Sequence, residues 1–319
     1  MEKKTEKLIL LPCFDSPEAA QACRRDLKIP REKAITLGTS AMEACDRGYY
    51  FDEQGAKVDW GQLVMGACFD ARSIPPDFSL QTPSRAPFPE TTVQVRNETT
   101  LAACFRLLEQ GVRPLALNFA NGLHPGGGFL HGALAQEETL CRSSALFMTI
   151  KNDPMYAAHA ERPLPDSTDW AILSRGVPVF RRDDGSALAK PVLVDFITCA
   201  APYAPGVGQP ESGDLLRRRI SRVLQIAFVF GHPTLVLGAW GCGAFGNDPL
   251  RTAKDFREAL ETEFAGAFSQ IAFAIADWSS ERRFLGPFRD VFAAKDLSWR
   301  GENDERPKRQ PGGASGESA

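Results

Sequence analysis

The sequence predicts an α/β protein with a mixed, mainly parallel central sheet and helices on both of its faces. Two observations carry this. From about Thr92 onward, short continuous apolar runs of strand length alternate with segments whose apolar residues recur at helical spacing. Both glycine-rich stretches of the chain directly follow such strands, at the carboxyl ends where open α/β sheets hold their ligands.

Taken in order, Thr92–Val95 reads as a short strand and Thr99–Gln110 as a helix stopped by Gly111. Leu115–Phe119 is a strand, followed by a glycine loop and a helix over Glu138–Thr149. Val177–Phe180 and Pro191–Thr198 flank Asp184-Gly185, a hairpin signature. Leu216, Ile220, Val223, Leu224 and Ala227 share one helical face between Asp214 and Phe230. Thr234–Ala239 is continuously aliphatic and reads as a buried strand. Asp248-Pro249 opens a helix that runs to about Phe264, and Ile271–Ala276 is the last strand. Residues 92–290 form the expected core. Residues 1–91 carry helical stretches at Pro17–Leu27 and Ala41–Arg47 and a proline-rich connector from Ser73 to Pro89, and are expected to be a partly helical N-terminal extension packed on that core. Residues 301–319 are too polar to bury a core and are expected to be disordered.

Composition narrows the class. The 319 residues, 43% hydrophobic and 24% charged, are ordinary for a globular protein. A net charge of −3 supplies no global field for nucleic acid or anionic lipid, so no direct nucleic-acid binding is expected. No stretch approaches the roughly 20 apolar residues of a membrane span. The run Leu8–Leu11 is too short for a signal-peptide core. Eight cysteines without a CxxC and four histidines without metal-ligand spacing point to reduced thiols and to neither a metal site nor a cofactor. A cytoplasmic monomer is expected.

The densest chemistry lies in Asn118–Glu138, which holds Asn118, Asn121, the triplet Gly126-Gly127-Gly128 and Gln136-Glu137-Glu138. Glycine lets backbone approach a ligand closely and turn its N–H groups toward an anion. The two carboxylates at the far end offer an acid or base beside it. The plain alternative for Glu137 and Glu138 is a solvated helix start, where the dipole favours acids. A second loop, Gly238–Asn247, has four glycines before a proline-initiated helix, a further anion cradle in which Gly243, Ala244, Phe245, Gly246 and Asn247 are candidates. Phe245 there reads either as a lid on a ribose or base or as a plug under the loop. Cys242 is a poor candidate nucleophile, with no histidine near it in sequence. His124 and His131 lie in the first loop, although a lone loop histidine is commonly just solvated, and nothing recommends His159 or His232. The run Arg217–Arg219 reads as a solvated helix face.

These residues resemble the microbial-type poly(ADP-ribose) glycohydrolases, whose catalytic loop is GGG, a short spacer, then QEE. Here the spacer is the seven residues Phe129–Ala135. The second loop, Gly241–Asn247, looks like the phosphate and ribose loop of the wider macrodomain superfamily. Arg47-Gly-Tyr-Tyr50, Asp195–Pro202 and Ala276-Asp277 also match, so the likeness spans roughly Ala41–Asp277. It implies a three-layer α/β/α macrodomain-like fold that cleaves ribose–ribose bonds of poly(ADP-ribose) and releases ADP-ribose, with polymer or ADP-ribosylated proteins as partners. Glu138 maps to the acid/base and Glu137 to the group that holds the ribose hydroxyls. Gly126–Gly128 would line the diphosphate and ribose, with Asn121 near the distal ribose. Gly243–Gly246 would bind phosphate, and Phe245 would pack on the terminal ribose.

Glycosidases with two working carboxyls set them about 5–10 Å apart across the sugar. Adjacent residues at a helix start project in different directions, which favours one acid, Glu138, holding its proton when substrate binds. A non-hydrolytic ADP-ribose reader and a hydrolase of another ADP-ribosyl linkage remain as alternatives.

Overall fold

A computed structural model describes residues 7–81 and 86–293; the expected disorder of 301–319 lies outside the described residues. Eight strands form one sheet in the order β1 (Lys7–Leu10), β5 (Glu90–Arg96), β10 (Gln270–Ala274), β9 (Thr234–Leu237), β6 (Leu115–Ala120), β8 (Ala187–Ala200), β7 (Ala171–Arg181) and β4 (Arg72–Ile74). Neighbours pair in parallel from β1 through β8. The long hairpin β7–β8 and the pair β4–β7 are antiparallel. β2 (Tyr49–Phe51) and β3 (Lys57–Asp59) make a separate small hairpin.

Alternation along each strand divides the interior into two cores. Leu115 and Leu117, Leu235 and Leu237, and Ile271 and Phe273 face α9 (Glu211–Val229), α10 (Pro249–Glu261) and α11 (Leu285–Val291). Ala116, Val236 and Ala272 face the other way. That second core is closed by α2 (Arg31–Arg47), α3 (Gly61–Asp70), α4 (Thr100–Glu109), α5 (Gln136–Ser143), α6 (Leu146–Ile150) and α7 (Pro154–Ala160). The result is the three-layer α/β/α arrangement. α1 (Pro17–Leu27) and the short α8 (Ala204–Val207) complete the helices. No described helix is long and apolar enough to cross a membrane.

Three differences from the sequence reading have physical causes. The helix expected over Glu138–Thr149 is two helices. Between them Ser144 is extended, its hydroxyl donating to Leu140 O at 2.7 Å and accepting from Leu146 N at 3.1 Å, and it bridges to Val179 of β7. A serine offering local bonds of this kind competes with the helical ladder.

The N-terminal 91 residues do more than pack on the core, because β1 and β4 are the two edge strands of the sheet. Their α2 begins at Arg31 rather than Ala41 and lies against the first glycine loop. A Cβ on Gly38 would stand 2.7 Å from Phe129 O, and Arg31 Nε donates to His131 O at 3.0 Å.

Arg217 and Arg218 are solvated as expected, but Arg219 is wholly buried. Its guanidinium donates to the carbonyls of Ala200, at 3.0 Å, and of Asp166, and faces the Asp169 carboxylate at 3.4 Å. Unpaired, an interior cation would be very costly.

Candidate active site

Above the carboxyl ends of the central strands lies a cleft of about 420 Å³. The residues along it include Asn121, Gln136, Glu137, Glu138, Gly243, Ala244 and Phe245, brought together from the loops after β6 and β9. α5 opens at its wall and is pinned there by Gln136. The Gln136 Nε2 donates to Leu117 O at 2.8 Å and Thr100 Oγ1 at 3.1 Å, while its Oε1 accepts from Phe119 N at 2.9 Å. Every polar atom of that side chain therefore ties the helix start to β6 and α4.

The triple-glycine loop folds back over the first turn of α5. Glu137 is 2% exposed, and its oxygens accept from three N–H donors. Oε2 takes Asn121 N at 2.7 Å, and Oε1 takes Gly126 N at 3.2 Å and Asn118 Nδ2 at 3.3 Å. Burial pushes this carboxyl up to about 8 against the pull of those donors, with the neighbouring Glu138 charge adding to the rise. Glu138 is held by one bond only, Gly128 N to Oε1 at 3.0 Å, and its Oε2 has no partner among the described residues. The third glycine amide, that of Gly127, donates to His124 O at 2.9 Å. Gly127 has φ of 56°, and a Cβ there would fall 2.3 Å from Glu138 Oε1. Only glycine fits that close approach.

All three glycine amides are thus engaged inside the protein. The anions they address are its own carboxylates, and Gly126–Gly128 do not line the cleft. The resemblance implies that they line a diphosphate and ribose; their amides are instead spent on internal acceptors. The second loop differs: the amides of Gly243, Ala244 and Phe245 carry no intramolecular bond among the described residues, and Gly243 and Ala244 are exposed. Phe245 is half-buried, its ring edge-on to Tyr203 at 5.9 Å, and its carbonyl accepts from Ala204 N. Successive backbone amides left without an internal partner are the kind of group that can bind an anion.

Two further candidates, Asn118 and Asn247, are not among the residues along the cleft. Asn118 is wholly buried and spends its amide on Glu137 and on Thr198 Oγ1 at 3.2 Å. Asn247 is 3% exposed; its Nδ2 donates to Pro202 O and Gly241 O, and its Oδ1 accepts from Ser212. Both brace the loops from behind. Gly246, with φ of 68°, shapes the turn but does not line the cleft. Burial pushes the Cys242 thiol up to about 12, which leaves it protonated and unreactive at neutral pH. His124 and His131 are exposed beside the loop, outside the cleft.

Sequence reasoning missed the cleft's far wall, where Trp278, 41% exposed, and Phe284 lie. The peptide of Asp277 just before Trp278 is held by Asn97, which donates to its carbonyl at 2.7 Å and accepts from its N–H at 3.0 Å. Nothing in the local pattern marks this, since Asn97 and Asp277 are 180 residues apart. Also missed was Asp183, which lines the cleft, accepts from Thr99 Oγ1 at 2.6 Å and is pushed by burial up to about 6.

A three-layer α/β/α fold whose cleft at the strand ends is lined by a carboxylate pair and by a second glycine-rich loop defines a glycoside-hydrolase cleft of the macrodomain-like type. The family description "Microbial-type PARG, catalytic domain" matches residues 39–182. The structure is similar to the poly(ADP-ribose) glycohydrolase of Thermomonospora curvata, with 38% identity, 82% of this chain and 99% of that one covered, and a TM-score of 0.77. It is also similar to the T. curvata enzyme bound to the inhibitor ADP-HPD, with 38% identity, 81% and 99% covered, and a TM-score of 0.74. The Deinococcus radiodurans enzyme in complex with ADP-ribose follows, with 40% identity, 72% and 97% covered, and a TM-score of 0.65. Curated proteins contain no match to this chain. The chain belongs to the microbial-type poly(ADP-ribose) glycohydrolases, and it is a glycohydrolase enzyme.

Proposed function

We propose that this protein hydrolyses the ribose–ribose O-glycosidic bonds of poly(ADP-ribose), releasing ADP-ribose, with Glu138 as its single general acid and base. One observation carries the division of labour: the oxygens of Glu137 are taken up by three N–H donors, whereas Glu138, which lines the cleft, has a buried Oε2 with no partner among the described residues. In this reading Glu138 gives its proton to the departing ribose oxygen as the glycosidic bond breaks. The oxocarbenium-like sugar is then attacked by a water that the resulting carboxylate deprotonates. Glu137, fixed by its donors, accepts the ribose hydroxyls and orients the sugar. The diphosphate lies on the free amides of Gly243, Ala244 and Phe245, the Phe245 ring against the terminal ribose and Asn121 near the distal one. The aromatic rings of Trp278 and Phe284 along the cleft suit the purine. The complexes of relatives with ADP-ribose and with ADP-HPD support ADP-ribose as the product.

The test is incubation of wild type and Glu138→Gln with poly(ADP-ribose) and with mono-ADP-ribosylated protein, reading released ADP-ribose. The variant should lose about 10²–10⁴ of its turnover on the polymer while binding ADP-ribose nearly as wild type does. Near-normal turnover by the variant would sink the assignment of Glu138. Release by wild type from neither substrate, with binding retained, would make the protein a reader; release from the mono-modified protein alone would make it a hydrolase of a different linkage.

A further inference from the structure

His159 lies outside the cleft, 21 residues beyond Glu138 in the chain, and only 3% of its surface is exposed. Its Nδ1 is 3.0 Å from Gly122 O, and its Nε2 is 3.0 Å from Thr168 N and 2.7 Å from Thr168 Oγ1. A carbonyl can only accept, so Nδ1 carries the hydrogen. A backbone amide can only donate, so Nε2 is bare. The partners therefore fix one neutral tautomer.

The carbonyl that His159 holds belongs to the peptide unit between Gly122 and Leu123. The other end of that unit, Leu123 N, donates to Asn121 Oδ1 at 2.8 Å, and Asn121 N is the shortest donor to Glu137. The loop is pressed flat on its support: a Cβ on Gly122 would stand 2.3 Å from Ser167 Oγ, and Ser167 itself is held at φ of 55°. The support is rigid in turn. Arg162 pairs with Asp166 at both carboxylate oxygens, and the buried Arg219 of α9 binds Asp166 O and Ala200 O.

Resting on the function proposed above, we propose that His159 is a positioning residue for the hydrolysis: through Gly122 it fixes the loop whose Asn121 amide holds Glu137 in register with the sugar. A proton on Nε2 would meet the Thr168 N–H head-on and loosen the clamp. The charged groups around the ring are Arg219 and Arg162, which oppose that proton, and Asp166, which favours it; burial is the largest influence and lowers the imidazole from its ordinary value. The clamp is therefore intact at neutral pH and opens only in acid.

Two substitutions separate positioning from packing, because an asparagine amide takes the place of Nδ1 and a glutamine carbonyl that of Nε2. His159→Asn keeps a donor for Gly122 O and cannot titrate; His159→Gln keeps an acceptor for Thr168 N and releases Gly122. On poly(ADP-ribose), the Gln variant should lose roughly 10–100-fold in kcat with little change in KM. The Asn variant should stay within about threefold of wild type and lack the fall in kcat expected of wild type in acid. Equal kcat for the two variants, or an acid fall that persists in the Asn variant, would overturn the proposal. If the Gln variant does not fold, the pH profiles of wild type and the Asn variant still decide it. A wild type that releases no ADP-ribose from the polymer would instead refute the proposed function, a different outcome from either.

Discussion

The two glycine-rich loops are alike in composition and opposite in use. The loop after β6 turns its amides inward onto Glu137, Glu138 and His124, whereas the loop after β9, which also lines the cleft, leaves three successive amides without an internal partner among the described residues. Glycine count alone therefore does not locate an anion site. What separates the loops is whether an internal acceptor lies within reach of the amides: α5 supplies two carboxylates to the first loop, and α10, capped by Asp248, supplies its cap only to its own first turn, at Leu250 and Arg251. One loop spends its amides on internal acceptors, and the other keeps three amides free of any internal partner among the described residues.

The sharpest break of that contrast is Gly127→Ala. With φ of 56° and a new methyl 2.3 Å from Glu138 Oε1, the variant should lose turnover by about 10³-fold while still binding ADP-ribose. Loss of binding with turnover of the bound fraction intact would show that this loop receives the ligand after all.

Next comes the stability that Glu137 links to pH. Its folded-state value, about 8, lies above the ordinary 4.5, so the contribution is fully present below 4.5 and is lost as pH rises through about 8. Thermal unfolding of wild type should therefore move to lower temperature between about pH 5 and pH 9, and Glu137→Gln should flatten that trend. Parallel curves for the two proteins would mean that the fold does not raise this carboxyl.

In the second loop the effects fall on affinity. Phe245→Ala should weaken ADP-ribose binding about tenfold, read by calorimetry, and leave kcat on saturating polymer nearly unchanged. Smallest of all is Gly243→Ala, where a Cβ meets nothing within 4 Å. Activity within about twofold of wild type is expected there, set against the loss at Gly127. A large effect at Gly243 would erase the distinction between the loops.

Much of this was legible in the chain. Strands and helices after Thr92 show strong periods, and the Gln-Glu-Glu run marks the start of α5 at the cleft. The edge strands β1 and β4 were not legible: four and three residues long, they lack the length for alternation to register. The first half of α2 was missed although it carries a signal, since Ala34, Gly38, Ala41 and Ala44 fall on one face and are buried. Small residues mark a close approach of backbones, which a search for large apolar side chains passes over. Asn118 on β6 and Asn247 in the second loop are both buried, a depth that neighbourhood in the sequence does not record. His159 was invisible for the same reason: its partners Gly122 and Thr168 are joined to it only by the fold.

The placement of β1 and β4 has a consequence for how the protein can be cut. A fragment starting at Thr92, where the regular alternation of the sequence begins, would expose raw hydrogen-bonding borders on both β5 and β7 at once. Unpaired borders of that kind recruit strands from other molecules, so such a fragment should aggregate rather than report the catalytic domain's own properties. The opening stretch of the chain thus works as a pair of selvedges that keep the sheet from fraying into its neighbours.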